Sequence, residues 1–376
     1  MDGASSERPP TPKERPRRRG RLRIAAVTAL ALILLGAGFT VRTLWRAGAF
    51  RTLTPHFAGS CRLVPGPVGP EDITIDAARR VAYVSASDRR ALAAGRPVPG
   101  AIFAYSLDAP DAAPVNLTPD ADISFQPHGI SLWVGDGRRV LFAISHPPPG
   151  TAPHAHTVEV FDVEGGALVH RASLTDPLLV MPNDLVAVGL DRFYLTNTHA
   201  HPPGLLQTAE TYLELSGANV LRYGPGGFRE AVGGLVFPNG INVSPDGRTL
   251  YVASLTPQTL LVYDRDPATD RLSLRREIPL GSGPDNIEVD ERGDLWIAAH
   301  PKLLAVVAHA KDPAAAAPAQ VLRVRVHPSD GRKAVQEVYL DLGEQIAAAS
   351  VAARLGPRLL IGQIFDEGFL DCRLDG

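Results

Sequence analysis

The chain repeats one unit six times, and no other feature limits its fold as tightly. Each unit opens on polar residues that lead into a short apolar strand. Five openings are plain: Glu71-Asp72-Ile73, His128-Gly129-Ile130, Asn183-Asp184-Leu185, Asn239-Gly240-Ile241 and Asp285-Asn286-Ile287. A sixth, weaker one is Ser350-Val351. About ten residues after each opening comes a second apolar strand: VAYVSAS, VLFAISH, FYLTNTH, LYVASLT, LWIAAHP and LLIGQIF. The openings lie roughly 45 to 65 residues apart, a period that short strands produce in a β-propeller. The expected fold class is therefore all-β, a six-bladed β-propeller. The 35 glycines and 34 prolines suit a fold with so many turns. One short helix is expected, over 205–216, where helical spacing returns at the channel end of the third unit.

In such a fold the first strand of every blade lines a central channel. The openings then form a ring that holds Glu71, Asp72, His128, Asn183, Asp184, Asn239, Asp285 and Asn286. Four carboxylates buried in one channel are very costly unless something compensates them. A hard cation with oxygen ligands, calcium above all, supplies that compensation. Adjacent ring residues step along the channel axis, so neighbouring pairs suit ions at two depths. His154 and His156 form an H-x-H pair after the second strand of blade two. Metal binding and simple solvation are both open there; solvation is preferred because the loop offers no further ligand.

The N-terminus differs from the rest. Residues 1–23 are basic and proline-rich and read as a disordered cytoplasmic tail. Residues 24–41 carry no charge and are long enough to span a bilayer as a signal anchor. Arg15, Arg17, Arg18, Arg19, Arg21 and Arg23 precede them, which places the tail inside and the later chain on the extracytoplasmic side. A cleaved signal peptide is the competing reading. Residues 42–60 read as a linker and 61–376 as the propeller. Outside the cytoplasm, Cys61 and Cys372 suggest a disulfide that locks the ring; two unrelated thiols are the alternative. A formal charge of −2 gives no argument for a nucleic-acid partner.

The segments SCRLVPG, EDITI, QPHGIS, PNDLVAVG, RFYLTN, FPNGINVSPDGRTLYVA, DNIEVD and GDLWIAAHP, in this order, resemble the paraoxonase/arylesterase family of calcium-dependent lactonases. The resemblance runs from Cys61 to Cys372 and implies two calcium ions in the channel. Glu71, Asn183, Asn239, Asp285 and Asn286 would hold the catalytic ion. Asp72, Asp184 and the carbonyl of Ile130 would hold the structural one. It also implies a catalytic histidine pair, His128 and His146, with His300 and His199 in the substrate pocket. One departure concerns Thr198, which stands where the family often has an acid and so weakens polarisation of the pair. The implied activity is hydrolysis of small lactones and aryl esters by water that the histidines activate. A gluconolactonase-like hydrolase and a non-catalytic, calcium-stabilised propeller that binds a protein are the rivals.

Overall fold

Proline opens five of the six inner strands: Pro70–Asp76, Pro127–Gly135, Pro182–Gly189, Pro238–Val243 and, one residue in, Gly283–Val289. Proline has no N–H to give a ladder, so it belongs where pairing starts or breaks. Just after it the pairing to the second strand slips. The ladder resumes at Asp72, Ile130, Leu185, Ile241 and Ile287, and at Val351 in the sixth inner strand, Ala349–Leu355. The polar residues skipped by these bulges are freed from the sheet and turned toward the axis. The apolar residue that follows locks the strand: Ile73, Ile130, Leu185, Ile241, Ile287 and Val351 are all buried.

The computed structural model describes residues 17–148, 156–326 and 334–375. Its strands form six antiparallel sheets, four of them in strand order from the axis outward; the other two each take their outermost strand from the N-terminal end of the propeller. Six apolar clusters fill the spaces between neighbouring blades, the last joining blade six to blade one. The core is thus a closed ring rather than a single centre. Two ring glycines permit the tight inner packing. A Cβ on Gly129 would lie 2.6 Å from the Asn183 carbonyl oxygen, and one on Gly240 would lie 2.4 Å from that of Asp285.

The ring closes through the N-terminal end of the propeller, around Cys61. Strand Gly59–Val68 completes blade six, paired with Glu367–Leu374, and blade one starts at Pro70. Cys61 faces Cys372 in that ladder, and the two form a disulfide across 311 residues. Closure of so long a loop restricts the unfolded chain, an effect worth up to about 5 kcal/mol in the entropic model. Cys61→Ser is therefore expected to lower the guanidinium midpoint strongly, by a few kcal/mol in unfolding free energy. An unchanged midpoint would show that the strand pairing alone holds the ring.

The linker over 42–60 is corrected. Helix α1 runs over Arg17–Arg46, and the propeller unit begins at Ala47. His56–Phe57 pairs with the outer strand of blade five. The stretch Arg23–Arg46 is long and apolar enough to cross a membrane. Of the expected tail, Arg17–Arg23 is helical and residues 1–16 lie outside the described part. Three further helices occur among the described residues: α2 (Arg89–Ala93), α3 (Leu205–Leu213) and α4 (Leu303–Lys311). α3 matches the expectation. α2 falls in a stretch expected to be a loop, where Asp88 caps it by accepting from the Ala91 N–H at 2.8 Å. α4 was not expected, because its uniform apolar run carries no helical period.

Candidate active site

The polar residues of the openings meet in the channel and divide by chemistry into two groups. The first is a set of oxygens without partners. Glu71 Oε2, Asn183 Oδ1, Asn239 Oδ1 and Asn286 Oδ1 are all buried and none accepts a hydrogen bond. Each such acceptor costs about 1–3 kcal/mol when nothing satisfies it. Asn286 is turned so that its Nδ2 donates to Glu71 Oε1 at 2.9 Å, which leaves its own oxygen free. Asp285, also buried, has one oxygen 2.9 Å from His300 Nε2. No group of three or more His, Cys, Asp or Glu side chains is arranged to hold a metal among the described residues. The set here is different: amide and carboxylate oxygens mixed, the donor chemistry of a hard cation.

The second group is the buried pair Asp72 and Asp184. Each carboxylate accepts from the N–H of its own neighbour and from an N–H of the next blade. Asp72 bonds Ile73 N at 2.8 Å and Ile130 N at 2.7 Å. Asp184 bonds Leu185 N at 2.7 Å and Ile241 N at 2.8 Å. These bonds tie the blades together but leave two charges in a dry channel. Burial first, and then the charges of Glu71 and Asp285 on Asp72 and of Asp72 and Glu71 on Asp184, hold both pKa values well above the usual carboxylate range. Asp285 is also raised, by burial and, more weakly, by Glu71, against the pull of His300. Burial would raise Glu71 too, but the His128 ring and the Arg89 guanidinium outweigh it and its pKa falls. A cation in the channel removes the common cause of the raised values, so both groups fit one.

The histidines stand at one end of blade two. His128 opens the inner strand, and His146 follows the second strand, Arg138–Ser145. His128 Nδ1 lies 2.8 Å from His146 Nε2. His128 Nε2 lies 3.4 Å from Glu71 Oε2, with no hydrogen bond between them. Burial, and next the neighbouring His128 and His156 rings, push the His146 pKa well down, so His146 is a neutral imidazole. An imidazole pair beside a ring of oxygens can take a proton from water and pass it on. His300 closes the same ring through Asp285. His199 is less available: Thr198 Oγ1 and Thr211 Oγ1 hold its two nitrogens at 2.9 and 2.8 Å, and Phe237 packs on its ring.

Two residues escaped the sequence reading. Glu288 lines a cavity of about 150 Å³ at the Asp184 end of the channel, and burial together with the Asp72 charge raises its pKa well above normal. Strand alternation from Asn286 would have found it. His156, read as a solvated loop residue, instead has its Nδ1 2.8 Å from His146 Nδ1. His154 lies outside the described residues.

Fold and site together define a six-bladed propeller with an oxygen-lined channel ending in a histidine cluster. Comparison with known proteins then gives the family. The Arylesterase family matches over residues 89–374. Rat serum paraoxonase/arylesterase 2 is 32% identical over 368 residues, 94% of this chain and 100% of its own length. Human serum paraoxonase/arylesterase 1 is 32% identical over 363 residues, 92% of this chain and 99% of its own. A solved structure of regucalcin from Agrobacterium tumefaciens, described as a calcium-binding protein, superposes with a TM-score of 0.52 at 16% identity, covering 86% of this chain and 98% of that one. The last likeness bears on fold alone. The chain belongs to the arylesterase family, and by that membership it is an ester hydrolase.

Proposed function

We propose that the protein is a calcium-dependent hydrolase of lactones and aryl esters, anchored to a membrane by α1 with its propeller on the extracytoplasmic side. The observation that carries this reading is the set of four buried, unpartnered oxygens beside the His128–His146 pair. Glu71, Asn183, Asn239, Asp285 and Asn286 would hold one calcium, and Asp72, Asp184 and the Ile130 carbonyl a second. The mixed amide and carboxylate oxygens suit calcium, the ion that the resemblance to the paraoxonase/arylesterase family implies. The Arg-rich segment before the apolar stretch and the disulfide between Cys61 and Cys372 favour the extracytoplasmic side.

Bound calcium supplies positive charge against which the negative charge developing on an ester carbonyl oxygen is stabilised. His128 Nε2 faces the ring and accepts the proton of the attacking water. His146, neutral and buried, holds His128 in place through Nδ1. The water oxygen bonds to the carbonyl carbon, the carbon–oxygen bond to the leaving group breaks, and the proton on His128 passes to the leaving oxygen. The products are an acid and an alcohol or phenol, joined in one molecule when the substrate is a lactone. His300 and His199 border the pocket in this reading.

The test is hydrolysis of δ-valerolactone and phenyl acetate by the full chain in detergent, with calcium chloride or a chelator. His128→Gln keeps a polar side chain but cannot accept the proton, and kcat is expected to fall by about two to four orders of magnitude. Turnover that survives both the substitution and the chelator would point to another site.

A further inference from the structure

The outer half of blade two walls a cavity that the proposed chemistry does not use. The third strand, Thr157–Glu164, pairs with the outer strand, Ala167–Leu174, and the register slips between His170 and Ala172. Residues an odd number apart on a regular strand lie on opposite faces. Here the extra residue, Arg171, brings His170 and Ser173 to the same face, opposite Phe161 and Glu159. Arg171 itself pairs with Asp162 and Asp191.

Three donors then converge on Glu159. Thr157 Oγ1 donates to Oε1 at 2.6 Å, and Ser173 Oγ and His170 Nε2 donate to Oε2 at 2.5 and 2.8 Å. The Glu159 side chain is only 13% exposed. A carboxylate accepts about four hydrogen bonds, so it has room for one more donor. The cluster is not a nucleophilic triad. Glu159 and Ser173 approach the same nitrogen of His170, and the Ser173 hydroxyl gives its proton to the carboxylate.

The cavity has a volume of about 470 Å³, within the range of small-molecule sites. One side of it is aromatic: Phe161 meets Phe125 edge to face at 6.0 Å and His170 at 5.4 Å between centroids. Leu117 and Leu168 add aliphatic surface, while Asp120 and Asp122 stand on the exposed rim. Among the described residues no lysine or arginine lines it, so its charge comes from three carboxylates with His170 as the one basic group.

We propose that this cavity binds a small organic ammonium ion with an apolar tail, whose N–H donates to Glu159 and whose charge is also held by the aromatic side. An anion would meet three like charges. A neutral apolar molecule would leave Glu159 unused, and a bare metal ion would leave the aromatic side unused. An arylalkylammonium ion uses both, through a charge-assisted hydrogen bond and a cation–π contact. The cavity shares no residue with the proposed calcium ligands or the histidine pair, and the proposal does not depend on the hydrolase reading.

The experiment is calorimetric titration of the full chain in a nonionic detergent, saturated with calcium chloride, with phenethylammonium as the probe. 2-Phenylethanol and phenylacetate are its neutral and anionic counterparts. The ammonium ion is expected to bind with a Kd of about 0.1–1 mM, the alcohol at least about tenfold more weakly, and phenylacetate not at all. Glu159→Gln keeps the shape but removes the charge, and it is expected to weaken the ammonium ion by about tenfold or more. Phe161→Leu should weaken it by about two- to fivefold. The oxygen-lined channel is the other place that could take a cation, and Glu71→Gln separates the two, because it should leave the affinity as it was. Binding that Glu71→Gln abolishes and Glu159→Gln preserves moves the ammonium ion to the channel and overturns the proposal. An alcohol that binds as well as the ammonium ion also overturns it, and this comparison needs only the unmodified protein, so it stands even where the Glu159 variant does not fold. Absence of ammonium binding at about 10 mM overturns it too.

Discussion

Removal of calcium is expected to abolish hydrolysis and to leave a protein that grows less stable as the pH rises. Asp72, Asp184, Asp285 and Glu288 all have pKa values raised by burial. A raised carboxylate binds its proton more tightly in the folded chain than in the unfolded one. Its contribution to stability is therefore complete below the unfolded value of about 4 and is lost as pH climbs through the folded value. Glu71, whose pKa is lowered, contributes fully above the ordinary carboxylate range, whereas His146, His156 and His199, lowered by burial, act in the opposite sense to the raised carboxylates up to their unfolded value of about 6.5. The melting temperature of the chelated protein should thus fall as the pH climbs above about 6.5, where the histidines no longer oppose the carboxylates. In the proposed reading calcium binds the deprotonated carboxylates and should reverse this trend. At a thousandfold excess over its dissociation constant a single ion adds about 4 kcal/mol. Thermal melts at several pH values, with calcium or with a chelator, test both halves. A chelated sample with a flat profile and full turnover would remove the cation from the channel.

The polar openings were readable because a propeller puts equivalent residues on one axis. Glu71, Asn183 and Asp285 look unrelated in the chain until the six-fold period aligns them. The geometry around them was less readable. Each plain opening in fact has the form proline, a polar residue, a polar residue or glycine, then isoleucine or leucine, and the structure shows that a bulge here frees the first polar residue in every case. The closing strand around Cys61 was not readable, because ring closure is a long-range demand that the local pattern does not record. α4 carries no helical period, and so gave no signal. His156 was lost for a different reason. Its H-x-H setting reads as surface, and only the register of two strands brings it to His146.

Asn239→Ala and Asp184→Ala should fail in different ways, although both residues line one channel. Asn239 contributes an oxygen with no hydrogen bond, so truncation leaves no protein donor behind. Its backbone carbonyl keeps the Thr196 hydroxyl at 2.6 Å. The variant is expected to melt within a few degrees of the parent and to lose kcat by about two orders of magnitude, since small shifts of a positioned group are costly to the transition state. Asp184 is bound by two buried N–H groups, those of Leu185 and Ile241, the second from the next blade. Truncation orphans both, at about 1–3 kcal/mol each, and removes a charged ligand from the proposed second calcium site as well. Asp184→Ala should therefore be destabilised even without calcium and gain less stability than the parent when calcium is added. Chemical denaturation with and without calcium, set beside lactone turnover at saturating calcium, separates the two. An Asn239→Ala protein that unfolds, beside an Asp184→Ala protein that melts normally and loses only turnover, would exchange the roles of the two ions. The hydrogen bonds argue against that exchange. The Asp184 oxygens hold blade three to blade four, whereas the Asn239 oxygen points at nothing the protein itself provides.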